Sequence, residues 1–296
     1  MPDIRGPAKS TAVFSQLFAL RALMLAGTAV VTLADARAAC VWKVTGPNGG
    51  TIYLGGSVHG LLSTDYPLPP AYNRAFDLST ALVIEDDLNV SRRTTDKFYK
   101  TGFYSKGDSL KNHLDPRTYD YLRRVFALMQ VSEADVAKCK PWMLIMMLWS
   151  GGTNELGVEG FLIKRARANG KPILGLETFR EHAEIISGMS DKQAELVLLQ
   201  SFIPDASGND SRKKMLAAWR RGDPNTLAQL ERESFRDLPS FGERLIAARN
   251  RNWIPKIEAY IRDRHPYFVV AGAAHMGGPD GVLALLKARG YQVEQL

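Results

Sequence analysis

Two short apolar runs, 41–44 and 51–54, flank the turn signal Pro47-Asn48-Gly49-Gly50, and this pattern predicts a β-hairpin that opens the fold. A loop with Pro67, Pro69 and Pro70 then leads into a short helix over 71–78. Ala81-Leu82-Val83-Ile84 is apolar without alternation, as in a strand covered on both faces. Segments 91–104, 116–129 and 141–149 carry apolar residues at helical spacing. Pro116 and Pro141 fit the first turns of such helices, where a missing N–H costs nothing. The stretch 143–148 is apolar on every side and predicts a helix central to the core. A helix over 158–168 stops at Asn169-Gly170, and a second buried strand follows over 172–176.

From 179 to 264 the pattern is nearly all helical, with breaks near 187–190, 204–209, Asp223-Pro224 and Pro239. Phe241, Leu245, Ile246, Trp253, Ile257 and Ile261 keep one apolar face over a long helix. A strand over 267–271, a helix over 282–288, the stop Gly290 and a last strand over 291–294 complete the chain. Strands at both ends and helices between them predict an α/β fold: a central mixed sheet built from the N- and C-terminal parts, with a large helical middle segment packed over it. No low-complexity linker divides residues 39–296, which are therefore read as a single domain.

The first 38 residues read as a leader instead of fold. Arg5, Lys9 and Arg21 precede an apolar run over 22–33, and Ala36-Arg37-Ala38 follows it, the order of a cleavable signal peptide. The run is too short for a transmembrane helix, which needs about 20 apolar residues. A periplasmic or secreted chain is expected, with no transmembrane span after cleavage. The only cysteines of the 296 residues, Cys40 and Cys139, lie beyond the leader. In an oxidising compartment they are expected to form a disulfide, the alternative being two separate buried thiols. The formal charge of +7 is spread through mixed-sign helical segments, a pattern of solvated faces that argues against a nucleic-acid partner.

Of five histidines, only His59 and His275 directly follow a buried strand, in Gly56-Ser57-Val58-His59 and Gly272-Ala273-Ala274-His275. Glu85 and Glu177 end the strands over 81–84 and 172–176. In open α/β sheets ligands bind beyond the carboxyl ends of the strands. Parallel strands would thus bring two imidazoles and two carboxylates to one rim, a donor set suited to manganese, cobalt, iron or zinc. Glu177 could equally cap the helix after it, as Glu159 could for its own. Arg249 and Asn250 lie four and three residues before Trp253. Arg249 is either a surface residue with a buried stem or, facing the site, a group that stabilises negative charge. His113, His182 and His265 lack the strand-end setting and are expected to be surface or packing residues.

The same residues, in the same order, resemble the TraB/GumN family, which includes the Tiki proteases. The likeness spans the chain after the leader. It runs from Trp42-Lys43-Val44 and Tyr53-Leu54-Gly55-Gly56-Ser57-Val58-His59 through Val83-Ile84-Glu85, Lys140-Pro141-Trp142 and Gly157-Val158-Glu159. It continues in Lys171-Pro172-Ile173-Leu174-Gly175-Leu176-Glu177-Thr178 and Arg249-Asn250 with Trp253, and closes on Val270-Ala271-Gly272-Ala273-Ala274-His275-Met276-Gly277-Gly278. The resemblance implies an exported metal-dependent hydrolase acting on peptides. His59, His275 and Glu85 would be its metal ligands, Glu85 or Arg249 its catalytic groups, and manganese or cobalt its metal. Glu159 stands where family members often have aspartate. The alternative is a binding protein that holds haem, a metal or an envelope polysaccharide without catalysis.

Overall fold

The computed structural model describes residues 39–150, 157–202 and 210–296. The leader and the break expected over 204–209 lie outside the described residues.

The expected hairpin is β1 (Val41–Thr45) and β2 (Thr51–Ser57), paired antiparallel with Val41 opposite Gly55 and Thr45 opposite Thr51. Its turn closes through Gly46 and Gly50, with Gly49 at φ 76°, a conformation open to glycine. Helix α1 (Pro70–Leu78) leads to β3 (Ala81–Asp86). The helical middle is α2 (Arg92–Lys100), α3 (Pro116–Leu128), α4 (Glu133–Lys138), α5 (Pro141–Ser150) and α6 (Val158–Ala168). After β4 (Ile173–Glu177) come α7 (Phe179–Ser187), α8 (Asp191–Phe202), α9 (Asp210–Arg220) and α10 (Pro224–Ser234). Helix α11 (Pro239–Gly242) runs through a π-helical turn, Glu243–Ala247, into α12 (Ala248–Asp263). The chain ends with β5 (Tyr267–Gly272), α13 (Val282–Lys287) and β6 (Gln292–Gln295).

These strands form one mixed sheet in the order β4-β3-β5-β2-β1-β6. The four strands β4, β3, β5 and β2 are mutually parallel, and β1 and β6 extend the sheet antiparallel. The late strand β5 is thus inserted between the early strands β2 and β3. Four parallel carboxyl ends stand side by side, and the two Gly-x-x-His segments leave from adjacent strands.

Buried apolar side chains fall into two clusters. One joins the sheet to α1, α6 and α12 and includes Leu54, Ile84, Phe268, Val270, Trp253 and Ile257. The other lies among the middle helices and includes Leu122, Phe126, Leu144, Ile145, Leu198 and Phe241.

The structure corrects the expected disulfide: Cys40 and Cys139 are both free and buried, one in each cluster. The Cys40 thiol donates to the carbonyl of Trp219 at 3.6 Å, and that of Cys139 to the carbonyl of Asp135 at 3.3 Å. Burial, with the charge of Asp223 behind it, pushes the Cys40 thiol up to about 12, which makes it unreactive.

One element boundary and the burial of one helix also differ from expectation. The helix expected over 91–104 stops at Lys100, because Gly102 passes so close to α5 that a Cβ there would stand 2.7 Å from Met143. The α5 helix is buried only in its first half, from Trp142 to Ile145, while Met147 and Trp149 are exposed. Trp149 lines a cavity described below.

Candidate active site

Beyond the carboxyl ends of the parallel strands lies a cavity of about 590 Å³. His59 after β2, Glu85 at the end of β3 and His275 after β5 all line it, together with Arg249 and His182. The two histidines that the sequence singled out, far apart in the chain, therefore face one cavity: His59 exposed, His275 only 3% exposed.

The glycines of both motifs have a steric reason. Gly56 is crowded between segments, and a Cβ there would stand 2.9 Å from that of Ala273 and 3.2 Å from that of Cys40. At Gly272 a Cβ would press on the Glu85 carboxylate at 3.3 Å and the His275 ring at 3.4 Å. The Gly272 N–H instead donates to Glu85 Oε1 at 2.6 Å, tying the ends of β5 and β3 together.

Arg249 is the centre of the polar cluster, 6% exposed. It projects from α12 on the same stripe as Trp253 and Ile257, so an arginine occupies a core-facing position. Its guanidinium donates from Nη2 to Glu85 Oε2 at 2.6 Å and to Glu177 Oε1 at 2.5 Å, and from Nε to Glu177 Oε2 at 3.1 Å. Its Nη1 stands 3.2 Å from His275 Nε2. Of the two readings open for Arg249, the structure gives the inward one.

Asn250, fully buried, decides the tautomer of His275. Its Nδ2 donates to the carbonyls of His275 and Asp280 at 3.3 and 2.8 Å, so its Oδ1 is an acceptor. His275 Nδ1, 2.7 Å away, must carry the proton, which leaves the Nε2 lone pair towards Arg249. The ring packs on Trp253 at 4.5 Å. Burial lowers the His275 pKa to about 4, so the ring is neutral near pH 7.

Glu177 is buried and also accepts from Trp253 Nε1 at 3.1 Å and pairs with His182 Nδ1 at 2.7 Å. Burial would raise its pKa, but the bonds from His182 and Arg249 outweigh this and hold it below the ordinary value. In Glu85 the charge of Arg249 and the Gly272 N–H overcome burial in the same way. Glu159, on the first turn of α6, accepts from the Glu85 backbone N–H. Burial, with Glu85 and Asp86 nearby, raises it to about 8, so it is largely protonated at neutral pH. It is not among the residues that line the cavity, and its bond to the Glu85 backbone holds the end of β3.

His182 is the site residue that the sequence reading misplaced. It sits in the first turns of α7, whose start is fixed by the Thr178–Glu181 capping box, and this turns the ring back over Glu177. Burial would lower its pKa, but the Glu177 carboxylate raises it. The missed signal was position: the helix that follows a parallel strand begins at the same rim as the strand's end. His113, bridging Asp108 and Asp191, and His265, beside Asp263, do not line the cavity.

Ligand atoms of Glu85, Glu177 and His182 all lie within 4.8 Å of one another, a spacing that could hold a metal ion. Carboxylate oxygens with imidazole nitrogen suit zinc, manganese and cobalt, and the His275 Nε2 lone pair faces the same guanidinium. The donor types suit a divalent cation, and Arg249 Nη2, bonded to both carboxylates and 3.3 Å from His182 Nδ1, occupies the position they share, so an ion would take the place of the guanidinium there.

Fold and site together define an α/β protein with a carboxylate, imidazole and guanidinium cluster at the ends of its parallel strands. The model of the TraB/PrgY/gumN family matches residues 40–295, and the chain belongs to that family. It is also similar to Metalloprotease TIKI2 of Danio rerio, 24% identical over 303 residues that take in 82% of this chain and 58% of the fish protein. This chain thus spans little more than half of that relative. No solved structure matches. No helix among the described residues is long and apolar enough to cross a membrane.

Proposed function

We propose that this protein is an exported metal-dependent hydrolase that cleaves peptide bonds. The carrying observation is the meeting of both Gly-x-x-His segments with Glu85, His182 and Arg249 in one cavity, and the likeness to a metalloprotease supports it. Glu85, Glu177 and His182 would hold the metal, with His275 and His59 lining the same cavity. A divalent ion held by these residues would supply Lewis acidity, towards a water and towards a substrate carbonyl. Manganese or cobalt is the expected ion, with zinc compatible with the same donors.

The protein's own groups have separable tasks in this reading. Asn250 orients His275 and keeps its Nε2 free of a proton. Arg249 holds Glu85 and Glu177 ionised and offers positive charge to an oxygen that becomes negative. His182, half-exposed, bonds Glu177 through Nδ1 at 2.7 Å and fixes that carboxylate at the cluster.

The test is peptide cleavage by the purified mature protein with manganese or cobalt, beside elemental analysis. His59→Ala, His275→Ala and Glu85→Gln should each reduce cleavage at least about 100-fold while circular dichroism stays native. Unchanged cleavage in both histidine variants would remove the proposal. Non-catalytic binding of haem is distinguished by a Soret band on haem titration in a protein that cleaves nothing.

A further inference from the structure

Helix α10 lines the cavity and packs against the turn that carries His275. It presents Leu227 and Leu230 to the cavity, where Leu245, Ile246, Ile185 and Met215 add to a mostly apolar wall. Two charged side chains, Arg212 and Glu231, interrupt that wall, and Glu231 is the acidic one. Glu231 also lines a second cavity of about 300 Å³, which shares Phe235, Ile246 and Ala274 with the first. It therefore stands at the junction of the two.

Nothing in the polar cluster serves Glu231. Arg249 is taken up by Glu85 and Glu177. Among the described residues Glu231 has no hydrogen-bond or ion-pair partner. Burial raises its pKa, and the charge of Glu85 raises it further, with no cation of the chain offsetting either. A carboxylate kept in apolar surroundings without a partner costs free energy that a ligand cation would return. An apolar wall with one unpaired carboxylate is complementary to a chain that is apolar on both sides of a single positive group.

We infer that Glu231 is a specificity-determining residue, which selects peptide substrates carrying an ammonium or guanidinium group beside apolar residues. The inference rests on the peptide-cleaving reading for its substrate class but concerns binding alone. The cation has two possible sources, a free N-terminus or a basic side chain. Arg232 and Arg236 line the second cavity beside Glu231, so the positive group is expected on the side of the first.

The experiment is equilibrium binding by calorimetry to the metal-free full mature protein in chelator, where cleavage does not intrude. Three probes are compared: Leu-Ala-Ala-Ala amide with a free N-terminus, N-acetyl-Leu-Ala-Lys-Ala amide, and N-acetyl-Leu-Ala-Ala-Ala amide with no charge. At least one cationic probe should bind about tenfold tighter than the neutral one, and which does so names the source of the cation. In Glu231→Gln that preference should vanish while the neutral probe binds as before, which also reports an intact fold. Glu231→Lys should reverse it. Equal binding of all three probes, a preference that persists in Glu231→Gln, or no binding at all would overturn the inference. A charge preference in a protein that never cleaves peptides leaves the inference standing and removes only the hydrolase reading. Cleavage without the preference does the reverse.

Discussion

Glu159 shows how one side chain can carry a pH signature. Its pKa of about 8 lies above the ordinary 4.5, so its contribution to stability is complete below about pH 4.5 and is lost as pH rises through 8. A glutamine in its place would keep an acceptor for the Glu85 N–H without having to ionise. In urea unfolding, Glu159→Gln should match the wild type near pH 5 and exceed it at pH 8 by on the order of 1–3 kcal/mol. Equal stabilities at both pH values would show that Glu159 ionises freely. His275 works in the opposite sense: its pKa is depressed from 6.5 to about 4, so its contribution is present above 6.5 and declines as pH falls. The same burial has opposite effects because each group prefers its neutral form.

At the scale of the element, α12 is the strut of the site. Four positions on one face, Arg249, Asn250, Trp253 and Ile257, are buried against the strand ends, and the first three each touch a chemical group. Arg249→Met leaves Glu85 and Glu177 without their guanidinium, a loss of roughly 3–5 kcal/mol for a broken buried pair. Without it both carboxylates would have raised pKa values. Stability in the variant is therefore kept at acid pH and lost as pH rises. Chemical denaturation should show the deficit larger at pH 8 than at pH 5, and manganese should reduce it if the cluster takes a divalent cation. A deficit independent of pH would mean that the arginine acts by packing alone. The π turn before α12 brings Leu245 and Ile246 together to the cavity, a local widening often found beside functional sites.

At the scale of the whole molecule, the described residues form two apolar clusters, and each cysteine belongs to one of them. With both thiols free, reductant should leave the melting temperature unchanged, and a thiol reagent should titrate two groups only after denaturation. A reductant-dependent drop of several degrees would restore the disulfide.

Local pattern determined most of the elements by itself. Runs such as Ala81-Leu82-Val83-Ile84 and Tyr267-Phe268-Val269-Val270 are strands because apolar residues without alternation must be covered on both faces. The glycines before His59 and His275 marked close backbone approach. For Arg249 the sequence left a surface and an inward reading open, and only packing chose the inward one. Tertiary structure alone decided the strand order, since nothing local tells β5 to enter between β2 and β3. It also separated Cys40 from Cys139, and it brought His182 and Glu231 to the cavity from helices whose own periodicity does not distinguish their polar positions. Short-range pattern specifies which face of an element is buried; which other element buries it is settled only when the sheet assembles.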